Sequence, residues 1–219
     1  MYQMVDVDFL TSEKKYVPFL SMNQDGELSR CKIPERYAGD DWERFVYRMK
    51  KGREAEKIVA AWLERAGCNV DLLPMLIDGD RTDPSVDMLL YPKDLTDTKA
   101  LPTGWDIKLH HHIHFTNNPV TFPKKLRVEK VRAYNLKQKW CNQKSVSYKG
   151  TIHFSVPSGS IIVVPNSSKD SWSVGADAQR EDRGTDVYYC DSKCMKPVTE
   201  LLSVYSTKYK SEGIKSEEG

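Results

Sequence analysis

No stretch of this chain approaches the ~18 consecutive apolar residues that a membrane-spanning helix requires. The opening MYQMVDVDFLTSEKK is too polar for a secretory leader. The expectation is therefore a cytoplasmic protein with no membrane partner. Cysteine is sparse and irregularly spaced. Cys31, Cys68, Cys141, Cys190 and Cys194 are odd in number, which argues against a disulfide framework and for free thiols in a reducing compartment. Cys190 and Cys194 alone are too few ligands for a structural zinc. No segment repeats, and the net charge is only +2, so overall charge names no partner. What is present suits one domain with additions: 219 residues, 39% hydrophobic and 29% charged.

The distribution of charge is more informative than its sum. Residues 121–150 carry nine Lys or Arg and one acid, Glu129. Residues 80–106 carry six Asp against three basic residues. Two solvated faces of opposite sign would explain this, and so would a site that takes a cation and a polyanion together.

Along the chain, residues 1–38 read as an N-terminal extension with short strands around NQDG. Residues 39–67 read as helix, capped by Asp40 or Asp41, broken or kinked at Gly52 and closed by Gly67. CNVDLLPML, SVDMLLYP (85–92) and WDIKLHHHIHF (105–115) read as three strands. FPKKLRVEKVRAYNLKQKW (122–140) reads as a basic helix. TIHFSV (151–156) and SIIVVPN (160–166) form a hairpin, and DVYYC (186–190) adds a strand. The fold class is α/β, a central mixed sheet flanked by helices in the order α-β-β-β-α-β. The core is expected over 39–165, with a C-terminal addition packed on it over 166–205 and a flexible tail over 206–219.

Alternation on the third strand puts Asp106, Lys108 and His110 on one face and Trp105, Ile107 and Leu109 on the other. If 85–91 pairs with 104–110, Asp87 approaches Asp106. Adjacent carboxylates repel unless a positive group lies between them, and their oxygens are the ligands Mg²⁺ prefers. Glu56 lies beside the apolar stripe of the helix and can reach the same pocket, whereas Glu54 points elsewhere. Asp83 is a rival to Asp87. His110, His112 and His114 would share the face of Asp106 and could bind a softer metal, or line the site as polar groups. An Asp-x-Lys tripeptide on its own is an ordinary surface ion pair on most strands. Here it gains weight from the ordered set around it.

GREAEKIVAAWLERAGCNV, DPSVDMLLYP and WDIKLH, followed by a basic helix and a strand, together resemble the PD-(D/E)xK nuclease superfamily. The glycine-headed helix is similar to that of archaeal junction resolvases and related phage and repair nucleases. The sequence departs from the family signature in having DPSVD in place of a literal Pro-Asp pair, and an Asp at position 106 where Glu is commoner. The resemblance implies a restriction-endonuclease-like core and hydrolysis of DNA phosphodiester bonds with Mg²⁺ or Mn²⁺. It also implies roles. Asp87 and Asp106 would hold the metal, with the Ile107 carbonyl as a further ligand and Glu56 assisting. Lys108 would orient the attacking water and steady phosphate charge. Lys124, Lys125, Arg127, Lys130, Arg132, Lys137 and His110 would contact nucleic acid. The partner would be duplex or branched DNA, and a homodimer is compatible with two-fold substrates. An inactive binding module, an exonuclease and a histidine-based hydrolase remain alternatives.

Overall fold

The computed structural model describes residues 20–22, 28–30, 40–73, 77–78, 81–82, 85–93, 101–176 and 185–209. Asp83 and Cys31 lie outside them, as do the last ten residues of the tail. The elements in order are β1 (Leu20–Met22), β2 (Leu28–Arg30), α1 (Asp40–Arg65), β3 (Asn69–Leu72), β4 (Ile77–Asp78), β5 (Arg81–Thr82), β6 (Met88–Tyr91) and β7 (Thr103–His110). There follow β8 (Lys125–Lys130), α2 (Val131–Gln143), β9 (Ser147–Ser155), β10 (Ser160–Pro165), β11 (Ser173–Ala176), β12 (Asp186–Asp191), β13 (Lys196–Pro197) and α3 (Val198–Tyr205).

The apolar spacing of Ala55, Val59 and Leu63 gives α1 one buried stripe. That stripe packs on Met88, Leu90, Trp105 and Ile107 of the sheet and on Leu201, Leu202 and Tyr205 of α3. The helix runs through Gly52 without a break, contrary to the expectation from sequence. A mid-helix glycine costs only ~1 kcal/mol, and burial of the stripe outweighs it. Gly67 ends the helix as expected. At φ +91° it adopts the left-handed backbone, which glycine enters without steric cost. The amides of Gly67 and Cys68 then donate to the Glu64 and Leu63 carbonyls.

The central sheet has the order β13-β10-β9-β7-β6-β3. Strands β7 and β9 run parallel and the other neighbours antiparallel, so the sheet is mixed. The helix, three strands, helix, strand order is thus found in α1, β3, β6, β7, α2 and β9, with β8 inserted before α2. A parallel pair needs a long crossover, and the β7–β9 crossover carries β8 and α2. A second antiparallel sheet, β11-β12-β8, lies beside α2. No helix of the described residues is long and apolar enough to cross a membrane.

Two elements differ from expectation. Residues 122–140 are not one helix: Lys125–Lys130 is strand and α2 begins at Val131. Leu126 and Val128 bury on one side of β8 while Lys125 is exposed, a period of two that the surrounding lysines obscure. Strand β7 stops at His110 rather than continuing to Phe115. Its partner β9 ends at Ser155, opposite His110, so the backbone beyond has no strand to bond.

Candidate active site

Antiparallel pairing sets Met88 opposite Trp105. Just before β6 begins, the Asp87 amide still bonds the Trp105 carbonyl (3.1 Å). Its side chain then continues the ladder: Asp87 Oδ2 accepts the Ile107 amide at 2.6 Å. This fixes Asp87 beside the Asp106–Lys108 segment, as the strand pairing required. Asp106 points to the α2 side of the sheet and is fully buried, at 0% exposure. Lys137 Nζ of α2 donates to Asp106 Oδ2 at 2.7 Å, and the Tyr148 hydroxyl donates to the same oxygen at 2.9 Å. Asp106 Oδ1 has no hydrogen-bond partner among the described residues.

Lysine 108 is partly exposed and its ammonium lies 2.5 Å from Glu129 Oε2 on β8. Lys137 reaches the same oxygen at 2.9 Å. The chain of contacts therefore runs Tyr148, Asp106, Lys137, Glu129, Lys108. Glu56 enters from α1 and is buried. Arg53, one turn earlier, donates to Glu56 Oε2 (2.7 Å) and to the Leu73 carbonyl (2.8 Å), tying helix to strand. Glu54 pairs instead with Lys57.

The fields follow from this placement. Burial, then the neighbouring Asp87, push the Glu56 carboxyl up to about 8, against the opposing pull of Arg53. Burial and Asp106 push Asp87 up to about 6, while Lys137 and Lys108 pull the other way. Burial would also raise Glu129, but Lys108 and Lys137 outweigh it and hold the group well below the usual carboxylate range. Burial would lower Lys137, yet Asp106 and Glu129 hold it well above the ordinary lysine value. The cluster separates into carboxyls whose burial outweighs the positive charge beside them, Glu56 and Asp87, and one where two lysines outweigh burial, Glu129.

Among the described residues, no three acidic, histidine or cysteine side chains converge into a ready ligand cage. Glu56 belongs to the α1 side, where Ile107 packs, and Asp106 to the α2 side. Asp87 lies electrostatically between them. A hard divalent cation still fits this donor set on one observation: a buried carboxylate oxygen, Asp106 Oδ1, is left unpaired while its twin is doubly held. An unpaired buried acceptor is costly unless something satisfies it.

No known family's sequence model matches the chain, and no curated protein matches it. A solved structure similar to it is Hjc, a Holliday junction resolvase from the archaeal hyperthermophile Archaeoglobus fulgidus. The TM-score is 0.42 and the identity 10%, over 70% of this chain and 96% of that one.

The remaining candidates scatter. Lys137 is not a surface cation but the buried link between Asp106 and Glu129. Lys124, Lys125 and Arg132 are exposed, and Arg127 and Lys130 half-buried. They lie on β8, its approach and the start of α2 rather than along one helix. His110 Nε2 is hydrogen-bonded to His153 Nδ1 (2.8 Å), and His153 in turn to Thr151 (2.8 Å). Burial, then Lys108, push His110 down to about 4, so it is neutral at physiological pH. His111, His112 and His114 sit in the exposed segment after β7, not on the face of Asp106. Glu129, Tyr148 and Arg53 were not foreseen as site residues. Only Glu129 carried a signal, as the lone acid in a basic run.

Proposed function

We propose that this protein is a divalent-metal-dependent nuclease that hydrolyses DNA phosphodiester bonds, acting as an endonuclease. The observation that carries the reading is Asp106: buried, with Oδ2 fixed by Lys137 and Tyr148 and Oδ1 unpaired, next to Asp87 and two residues from Lys108. Asp87 and Asp106 would hold Mg²⁺ or Mn²⁺, with the Ile107 carbonyl as a further ligand and Glu56 assisting. When bound, such a cation supplies Lewis acidity to a phosphoryl oxygen and lowers the pKa of water. The protein's own residues do the rest. Tyr148 and Lys137 keep Asp106 in one orientation, so that the same buried oxygen, Oδ1, stays free for a cation. Glu129 holds the Lys108 ammonium in place, where it can orient water and balance charge on the scissile phosphate. The exposed cations Lys124, Lys125 and Arg132 supply attraction to the DNA backbone, with Arg127 and Lys130 alongside.

The test is incubation of supercoiled plasmid with Mg²⁺ or Mn²⁺ and the wild type, Asp106→Ala or Lys108→Ala. Nicking or linearisation by the wild type, reduced at least ~100-fold in both variants, supports the reading. Equal behaviour of all three, with DNA still bound, supports the binding module instead.

A further inference from the structure

The segment joining β7 to β8 begins three residues after Lys108 and returns into the strand that carries Glu129. The segment and its flanks are free of acid: residues 107–128 contain no Asp or Glu, with Lys108 on β7, Lys124 at the end of the segment, and Lys125 and Arg127 on β8. Its base is anchored. Phe115 and Phe122 are buried in an apolar cluster with Leu126 and Ile162. Ser155 at the end of β9 and Ser158 of the β9–β10 turn donate to the Ile113 and Phe115 carbonyls.

The outer turn is braced by its own side chains. The Thr116 amide donates to Thr121 Oγ1 (2.8 Å) and the Asn118 amide to Thr116 Oγ1 (3.1 Å). The Val120 amide donates to Asn118 Oδ1 (3.1 Å), and Thr121 Oγ1 donates to the Asn118 carbonyl (2.8 Å). Pro119 fixes its own φ within the short 3₁₀ turn. At the tip stands Val120, with 89% of its surface exposed, more than any other exposed large hydrophobic residue among those described. A flexible loop with an apolar end would be unremarkable. A turn stiffened by four side-chain hydrogen bonds, anchored by two buried phenylalanines and ending in a proline and an exposed valine presents a rigid apolar point.

We propose that the Pro119–Val120 tip is a wedge that enters DNA between stacked bases at a branched or kinked step, beside the cleavage site. The proposal rests on the nuclease reading and deepens it by naming the substrate feature recognised. Apolar side chains inserted at a base step unstack it and kink the duplex, a cost of a few kcal/mol per step that falls where stacking is already interrupted. The acid-free flanks and exposed Lys124 and Lys125 favour a polyanion on either side of the tip. His111, His112 and His114, exposed on the same segment, add hydrogen-bonding groups without negative charge.

The test uses the full chain, with Ca²⁺ in place of Mg²⁺ to permit binding without turnover. The probes are a four-way junction and a flap carrying 2-aminopurine next to the branch, with a linear duplex of the same sequence as control. Val120→Ser removes the apolar point at a site too exposed to affect folding, and Asn118→Ala loosens the turn beneath it. The expected result is a rise in 2-aminopurine fluorescence with the wild type that falls at least threefold with either variant. Affinity for linear duplex should stay within about twofold. Equal fluorescence with wild type and Val120→Ser overturns the wedge while leaving the nuclease reading intact. A change in sedimentation of Val120→Ser without a change on DNA also overturns it, and makes the tip a protein contact. If the wild type binds no DNA of any shape, both readings fail together.

Discussion

At the scale of single residues, the site is governed by how its buried carboxylates are compensated. Among the described residues, Lys137 is the one side chain that bonds both Asp106 and Glu129. Lys137→Met leaves Glu129 with Lys108 and the buried Asp106 with the Tyr148 hydroxyl alone, and is expected to cost about 3 kcal/mol in a urea titration, the lower end of the range for breaking a buried pair from one side. Tyr148→Phe is gentler. It removes one donor from Asp106 Oδ2 and should weaken Mn²⁺ binding about 10-fold, as loss of a group behind a ligand does, with little change in folding. The pH dependence of the metal-free protein has a defined sign. Glu56 rises from an ordinary 4.5 to about 8 on folding, so its contribution is present at low pH. That contribution is lost as pH rises from about 4.5 through 8. Asp87 acts in the same direction up to about 6. Glu129, held low by two lysines, acts oppositely and loses its contribution on acidification. Glu56→Gln should therefore gain stability relative to wild type as pH rises from 5 to 8, measured by denaturant midpoints at each pH. A constant difference across that window would show that the Glu56 carboxyl is not perturbed.

At the scale of elements, legibility followed local periodicity. Strand β7 was readable because Trp105, Ile107 and Leu109 alternate with Asp106 and Lys108, and α1 because Ala55, Val59 and Leu63 share a stripe. Strand β8 was not. KLRVEK alternates over only six residues, and the helix-like sequence that follows it without a break draws it into one apparent element. That error hid Glu129: on a helix it would face solvent, but on β8 it faces Lys108. Lys137 was misplaced for a related reason, since charge alone does not say which face of α2 meets the sheet. The histidine run misled because a sequence pattern does not show where the partner strand ends. Gly52 does not break the helix, and no described atom outside the helix lies within 4 Å of where an alanine Cβ would stand there. Gly52→Ala should therefore stabilise the protein by about 1 kcal/mol, the helix propensity difference, measured by urea denaturation. Destabilisation would mean that α1 does bend at this point.

At the scale of the whole molecule, the site lies where two layers meet across β7. Layer α1 with α3 covers the face of Trp105 and Ile107, and layer α2 with the second sheet covers the face of Asp106. The order of the core elements was legible, but the elements by which the C-terminal residues join the core were not. Strand β13 pairs with β10 at the sheet edge, and Val198, Leu201, Leu202 and Tyr205 of α3 complete the main apolar cluster. Such closure depends on long-range packing that leaves no local pattern. A chain ending at Pro165 should lose cooperative thermal unfolding by circular dichroism, and a sharp transition in that fragment would show that 166–205 is dispensable for folding.

The central claim is that Asp106 presents an unpaired oxygen to a hard cation. The most direct measurement is Mn²⁺ titration of the wild type and Asp106→Asn at pH 7, reading bound metal by electron paramagnetic resonance and proton release by a pH indicator. The account predicts saturable Mn²⁺ binding by the wild type with release of protons, because Glu56 and Asp87 carry raised pKa values in the metal-free state. It predicts loss of both signals in Asp106→Asn. Identical binding by the two proteins, or none by the wild type with or without DNA, would contradict it.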